Sequence, residues 1–152
     1  MPQSLAQLYV HLVFSTKNRE PWLRGDLCSH MHAYLASVSN DLDAPALQVG
    51  GVADHVHLLA RLPRTLPLAD WVSKLKSNSS RWFKEQSATR DHGDFSWQKG
   101  YGAFSISVTH VDAVRNYILG QEAHHQKITF QDEYRSLLKK HGIEFDEKYV
   151  WD

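Results

Sequence analysis

Gly50-Gly51-Val52-Ala53-Asp54-His55-Val56-His57-Leu58-Leu59-Ala60-Arg61-Leu62 decides how the rest of the chain is read. As a strand, residues 55–62 alternate faces, with His55, His57, Leu59 and Arg61 on one side and Val56, Leu58, Ala60 and Leu62 on the other. Two imidazoles then stand side by side over an apolar back face, at a spacing that one divalent cation can bridge. Residues 46–52 read as a short apolar strand and Ala53-Asp54 as a tight turn, so the two segments form an antiparallel hairpin. The histidine pair alone is not diagnostic. Ten histidines in 152 residues produce His-x-His by chance in about two-thirds of shuffled chains. His30-Met31-His32 repeats the spacing inside a helix-like run, where residues two apart point in different directions.

Moving toward the N-terminus, residues 8–15 read as a strand. Leu8, Val10, Leu12 and Phe14 share one face; Tyr9, His11, Val13 and Ser15 share the other, so His11 can turn toward a metal site. Lys17-Asn18-Arg19-Glu20-Pro21 breaks the pattern as a loop. Residues 24–40 then carry Leu27, Met31, Tyr34, Leu35 and Val38 at helical spacing, which predicts a helix packed on the sheet.

Moving toward the C-terminus, Thr65 is a candidate cap for a helix with Pro67 in its first turn. Leu68, Trp71, Val72, Leu75, Trp82 and Phe83 mark its buried stripe up to about Glu85. Lys74, Lys76, Arg81 and Lys84 fall largely outside that stripe, a face suited to contact with a phosphate backbone. Residues 87–95 read as polar loop and residues 95–102 as a flexible, partly apolar one; Phe104, Ile106 and Val108 then alternate with Ser105 and Ser107 in a further strand. A helix over residues 111–126 is anchored by Val114 and Ile118. It projects Tyr117 and Gln121, four apart, from one face, with His124 on the same stripe and His125 one turn beyond Gln121. Gly120 inside it costs about 1 kcal/mol relative to alanine and suggests a close approach by another backbone or a ligand. Thr129 starts a last helix through Lys140, apolar on Phe130, Tyr134, Leu137 and Leu138, with Gly142 after its end. The tail, residues 145–152, ends in large apolar groups that suggest docking on its own body or on a partner.

The length fits one domain, residues 1–152, with an ordinary globular composition of 42% hydrophobic and 22% charged residues. Cys28 is alone, which excludes an intrachain disulfide and a cysteine zinc site and fits a reducing cytoplasm. The chain shows neither a signal-peptide pattern nor an apolar run of membrane-spanning length. Zero net charge argues against nonspecific coating of nucleic acid. Locally the balance differs: residues 61–90 hold seven basic side chains, Arg61 and Arg90 among them, against Asp70 and Glu85, a surplus of five. Such a segment beside a candidate metal site suggests a phosphate-bearing substrate.

These parts make sense together as a phosphoryl-transfer site, with the basic surface between the histidine strand and the tyrosine helix. A divalent cation held by His55, His57 and a third oxygen or nitrogen ligand would stabilise charge on the scissile phosphate, and Tyr117 would attack phosphorus. An unperturbed tyrosine, with a pKa of about 10, needs a nearby metal or base to act at neutral pH. The phosphotyrosine ester would store the bond energy, so strands can be cut and rejoined without ATP. Mixed histidine and amide-oxygen ligands with open positions suit Mg²⁺ or Mn²⁺.

At this point the chain resembles the single-tyrosine HUH transposases of the IS200/IS605 type, including their REP-associated relatives. The resemblance rests on His55-Val56-His57 preceded by Gly51-x-x-Asp54, and on Tyr117-x-x-x-Gln121. Residues 9–17, 97–105 and 130–134 support it in order along nearly the whole chain. It implies an α+β domain, a central antiparallel sheet with helices packed on it in the ferredoxin-like manner of HUH nucleases. It further implies a DNA transposase that cleaves and rejoins single-stranded DNA beside a hairpin through a 5′-phosphotyrosine. His55, His57 and Gln121 would be metal ligands, His124 or His125 possible substitutes for Gln121, and Tyr117 the nucleophile. Arg61, Lys74, Lys76, Arg81 and Lys84 would meet DNA. A homodimer whose tyrosine helices complete each other's sites, and a bacterial, cytoplasmic, nucleoid-associated location, complete the expectation. Two other readings stay open: a metal-dependent phosphodiesterase that uses water, and a domesticated hairpin binder without catalysis.

Overall fold

The computed structural model describes residues 1–86 and 92–152, so Arg90 of the basic segment and most of the expected polar loop lie outside the described residues. The histidine hairpin forms as the alternation dictates. β2 (Ala46–Val52) and β3 (His55–Leu62) pair antiparallel from Val52 opposite His55 to Ala46 opposite Ala60, with a register shift between Ala46 and Gln48. β1 (Leu8–Ser15) pairs antiparallel with β3, setting Val13 opposite His57 and Ser15 opposite His55. Its other edge pairs with β4 (Gly102–Ile106). The sheet order is β2-β3-β1-β4. With α1 (Asp26–Asp41) between β1 and β2 and α2 (Leu68–Lys84) between β3 and β4, the chain has the ferredoxin-like α+β arrangement.

Period-two patterning sorts the core onto two sides of the sheet. Leu12, Phe14, Val56, Leu58 and Ala60 face Met31 and Leu35 of α1 and Trp71, Val72, Leu75 and Phe83 of α2. Full burial of such a side chain contributes about 1.5–3 kcal/mol. That burial holds α2 in place without a side-chain cap: Pro67, not Thr65, occupies the N-cap position, and no cap hydrogen bond is made. Val13, Leu59 and Phe104 point to the opposite side, under α3 (Val111–Leu119), α4 (Gln121–His124) and α5 (Phe130–Lys140). Thr129 caps α5 by accepting from the Asp132 N–H.

Several expectations are corrected. Gly120 ends α3 at φ −87°, ψ 11°, so residues 111–126 form two helices. A Cβ on Gly120 would meet nothing nearer than 3.5 Å, whereas one on Gly50 would lie 2.7 Å from the Ile118 carbonyl oxygen. The close backbone approach is therefore at Gly50, where α3 crosses β2. Val108 leaves the strand for a 3-10 turn (Val108–His110) and is exposed. Residues 97–100 are pinned, not loose. Trp97 bridges to Thr16 and donates its indole N–H to Ser79 Oγ at 2.9 Å. Gln98 Oε1 accepts from Ser15 N at 2.9 Å. The tail docks on its own chain: the guanidinium groups of Arg19 and Arg135 lie 5.6 and 5.0 Å from the centre of the Trp151 ring, and Asp152 O accepts from Gly100 N at 2.8 Å.

Candidate functional site

β1 and β3 deliver three imidazoles to the side of the sheet covered by α3, α4 and α5. His11, His55 and His57 are all essentially buried. α5 brings the group that organises them, Glu133, only 1% exposed. Its Oε1 lies 3.0 Å from His57 Nε2, 3.0 Å from His125 Nε2 and 3.3 Å from His55 Nε2. Its Oε2 accepts from Gln121 Nε2 at 2.9 Å and from the Tyr117 hydroxyl. Gln121 Oε1 meets His55 Nε2 at 3.0 Å. One carboxylate thus joins the histidines, the glutamine and the tyrosine.

The outer nitrogens of the two strand histidines have different partners. His55 Nδ1 faces Asp54 Oδ1 at 2.8 Å, while His57 Nδ1 faces His11 Nε2 at 2.8 Å. This difference explains why two rings on the same carboxylate oxygen titrate in opposite senses. Burial disfavours the cation at His55, yet Asp54 and Glu133 outweigh it and raise its pKa to about 9. His57 has only Glu133 against full burial, and falls to about 4. Burial, reinforced by His57, takes His11 down to about 3. Burial works against the Glu133 anion, but hydrogen bonds from His125, His55 and His57 hold it well below the usual carboxylate range. Burial first, then Glu133, pushes the Tyr117 hydroxyl far above its ordinary value.

His55, His57, His125 and Glu133 each place one ligand atom within 4.8 Å of the others. Three imidazoles beside a carboxylate, with Asp54 and His11 holding the outer nitrogens of His55 and His57, make a donor set that suits a divalent metal. The cluster therefore can hold one. Of the alternates to Gln121, His125 belongs to this group; His124 Nε2 stands 3.4 Å from Glu133 Oε2 without a hydrogen bond.

The basic residues divide between the two sides of the sheet. Arg61 is exposed on the histidine face of β3. Lys74, Arg81 and Lys84 are exposed on α2, which packs on the opposite side of the sheet, so the helix does not run between the histidine strand and the tyrosine helix. Lys76 is engaged: its ammonium donates to the carbonyls of Gln98 (2.7 Å), Lys99 (3.2 Å) and Gly100 (2.7 Å), and burial lowers its pKa to about 8.

Sequence reasoning missed Glu133 and Asp54 as site residues. Glu133 had a legible signal, because it occupies the i+3 place in the apolar series Phe130, Tyr134, Leu137, Leu138, where a carboxylate has no business unless paired. Asp54 stands directly before the His-x-His strand, within reach of an outer imidazole nitrogen.

The fold and site define an α+β domain whose ferredoxin-like sheet sets a His/Glu cluster able to hold a metal beside a tyrosine hydroxyl. The chain belongs to the IS200-like transposase family: the model of that family, "Transposase IS200 like", matches residues 4–121. His125 and Glu133 lie beyond the matched stretch. No curated protein matches the chain. Among solved structures, it is similar to a "putative transposase" from Deinococcus radiodurans R1, at TM-score 0.61 and 22% identity, over 80% of this chain and 95% of that one. It is also similar to a REP-associated tyrosine transposase bound to a REP hairpin, at TM-score 0.61 and 12% identity, over 84% of this chain and 74% of that one. Both likenesses carry the fold.

Proposed function

We propose that this transposase cuts and rejoins single-stranded DNA beside a hairpin, with Tyr117 forming a 5′-phosphotyrosine. One observation carries the reading: the Tyr117 hydroxyl donates to the same carboxylate whose other oxygen meets three histidines. Nucleophile and metal ligands are one side chain apart. Attack by Tyr117 Oη forms the Oη–P bond and breaks the bond to O3′, leaving a free 3′-hydroxyl. Glu133 Oε2 accepts the hydrogen bond of the phenol and so orients Oη, while the phenolic proton is given up to solvent and the departing O3′ takes one up. Gln121 holds Glu133 and His55 in register. His55, His57, His125 and Glu133, with Gln121 beside them, would hold a divalent metal, which would supply positive charge to polarise the scissile phosphate. The nitrogen-rich donor set favours Mn²⁺ over Mg²⁺.

Within one chain Tyr117 and the histidines share Glu133, which supports a tyrosine acting at the cluster of its own subunit. A homodimer and nucleoid association belong to the proposal on the family resemblance. No helix among the described residues is long and apolar enough to cross a membrane.

The test is incubation with labelled single-stranded hairpins from the genomic flanks, with Mn²⁺, Mg²⁺ or EDTA, followed by a denaturing gel. The expected result is a protein–DNA adduct that requires metal and vanishes in Tyr117→Phe. Cleavage without adduct would instead indicate a hydrolytic phosphodiesterase, and binding without cleavage a non-catalytic hairpin module.

A further inference from the structure

Beside Tyr117 a cavity of about 460 Å³ opens between β4, α3 and the end of α5. We propose that it receives one unstacked base of single-stranded DNA, that of a nucleotide flanking the phosphate Tyr117 attacks; this rests on the function proposed above.

The cavity is continuous with the cluster, because Tyr117 and His11 form part of its wall. Ile106 and Val114 give it apolar surface, and His141, stacked on Phe104 with ring centroids 4.4 Å apart, adds a flat ring. Flat π surfaces and aliphatic groups are what an unstacked base is held by, whatever its identity. At the mouth stands Lys140, exposed, and no carboxylate lines the cavity, so an approaching phosphate backbone meets attraction and no repulsion. Ser105, Ser107 and His110 also line it, so groups able to hydrogen-bond a base edge stand beside the apolar and ring surfaces. Two other cavities fit less well. The one of about 520 Å³ near His125 is lined by Asp54 and Glu122, and the one of about 480 Å³ at Lys76 and Trp97 involves α2, on the far side of the sheet.

The experiment measures hairpin DNA binding in a Tyr117→Phe background, which keeps the ring and removes the nucleophile. Abasic sites are placed singly at each position flanking the cleavage point, and each oligonucleotide is also tested on Tyr117→Phe carrying Ala113→Trp. Ala113 is an exposed residue of the cavity lining, so the indole fills the cavity without entering the core. One abasic position is expected to weaken binding about tenfold or more. In the Ala113→Trp protein, intact and abasic DNA should bind alike. As a second readout, 2-aminopurine at the sensitive position should lose access to acrylamide on binding. A flat abasic scan, a penalty that persists with Ala113→Trp, or a fully quenchable 2-aminopurine would overturn the proposal. If an adduct still forms on wild-type protein while the scan is flat, only the base site fails; if no DNA is bound or cleaved at all, the underlying function fails with it.

Discussion

Glu133 is one carboxylate asked to satisfy His55, His57, His125, Gln121 and Tyr117. That concentration makes the metal-free protein sensitive to pH in both directions. His57 and His11 are buried neutral and accept a proton only at about 4 and about 3, whereas in the unfolded chain they do so at 6.5. The unfolded state therefore binds more protons below pH 6.5, and stability falls on acidification. Glu133, depressed below 4.5, acts in the same sense at still lower pH. His55 is opposite: raised to about 9, it contributes fully below pH 6.5 and loses that contribution as pH rises through 9. The thermal midpoint of protein kept in chelator should thus peak near pH 6.5 and drop more steeply on the acid side. A midpoint unchanged between pH 4 and 9 would contradict these assignments.

At the scale of elements, the seat of α3 on the β2–β3 hairpin sets the distance from Tyr117 to the histidines. Gly50 permits that seat, since a Cβ there would lie 2.7 Å from Ile118 O and 2.8 Å from Ile118 Cγ2. Gly50→Ala should destabilise the protein by about 1–3 kcal/mol in denaturant titration. Gly120→Ala should be neutral or stabilise by up to about 1 kcal/mol, because its surroundings are open and its backbone angles suit alanine. Equal losses from the two would show that the close contact at Gly50 carries no weight. β1, β3 and β4 were legible in the sequence because each carries a period-two apolar face, and the hairpin because the two-residue turn Ala53-Asp54 separates the short apolar run of β2 from β3. Gly120 misled because its cost inside a helix was visible while the break that removes the cost was not. Glu133 escaped because its partners His55 and His57 lie on a strand far away in the chain, and local patterning does not report such distances.

The whole molecule has two working sides, with the cluster on one and the exposed basic residues of α2 on the other. Helical periodicity shows which stripe of α2 is buried, yet not which side of the sheet receives it; this is why the basic surface was expected beside the histidines. With zero net charge, this local surface is the place where DNA attraction would concentrate. Replacing Lys74, Arg81 and Lys84 with glutamine together should weaken hairpin binding and reduce the slope of log K against log salt by about one for each phosphate left without its cation. Metal affinity, measured by calorimetry, should stay unchanged, since the cluster lies across the sheet. An unaltered salt slope would remove α2 from the DNA surface.

In the proposed reaction Tyr117 carries the DNA between cutting and rejoining. The measurement that reaches it most directly is peptide mapping by mass spectrometry of protein recovered after incubation with metal and hairpin DNA, the DNA digested to a single nucleotide. The expected result is a 5′-linked nucleotide on the peptide bearing Tyr117 and on no other tyrosine. Cleaved DNA alongside an unmodified Tyr117 peptide would contradict it.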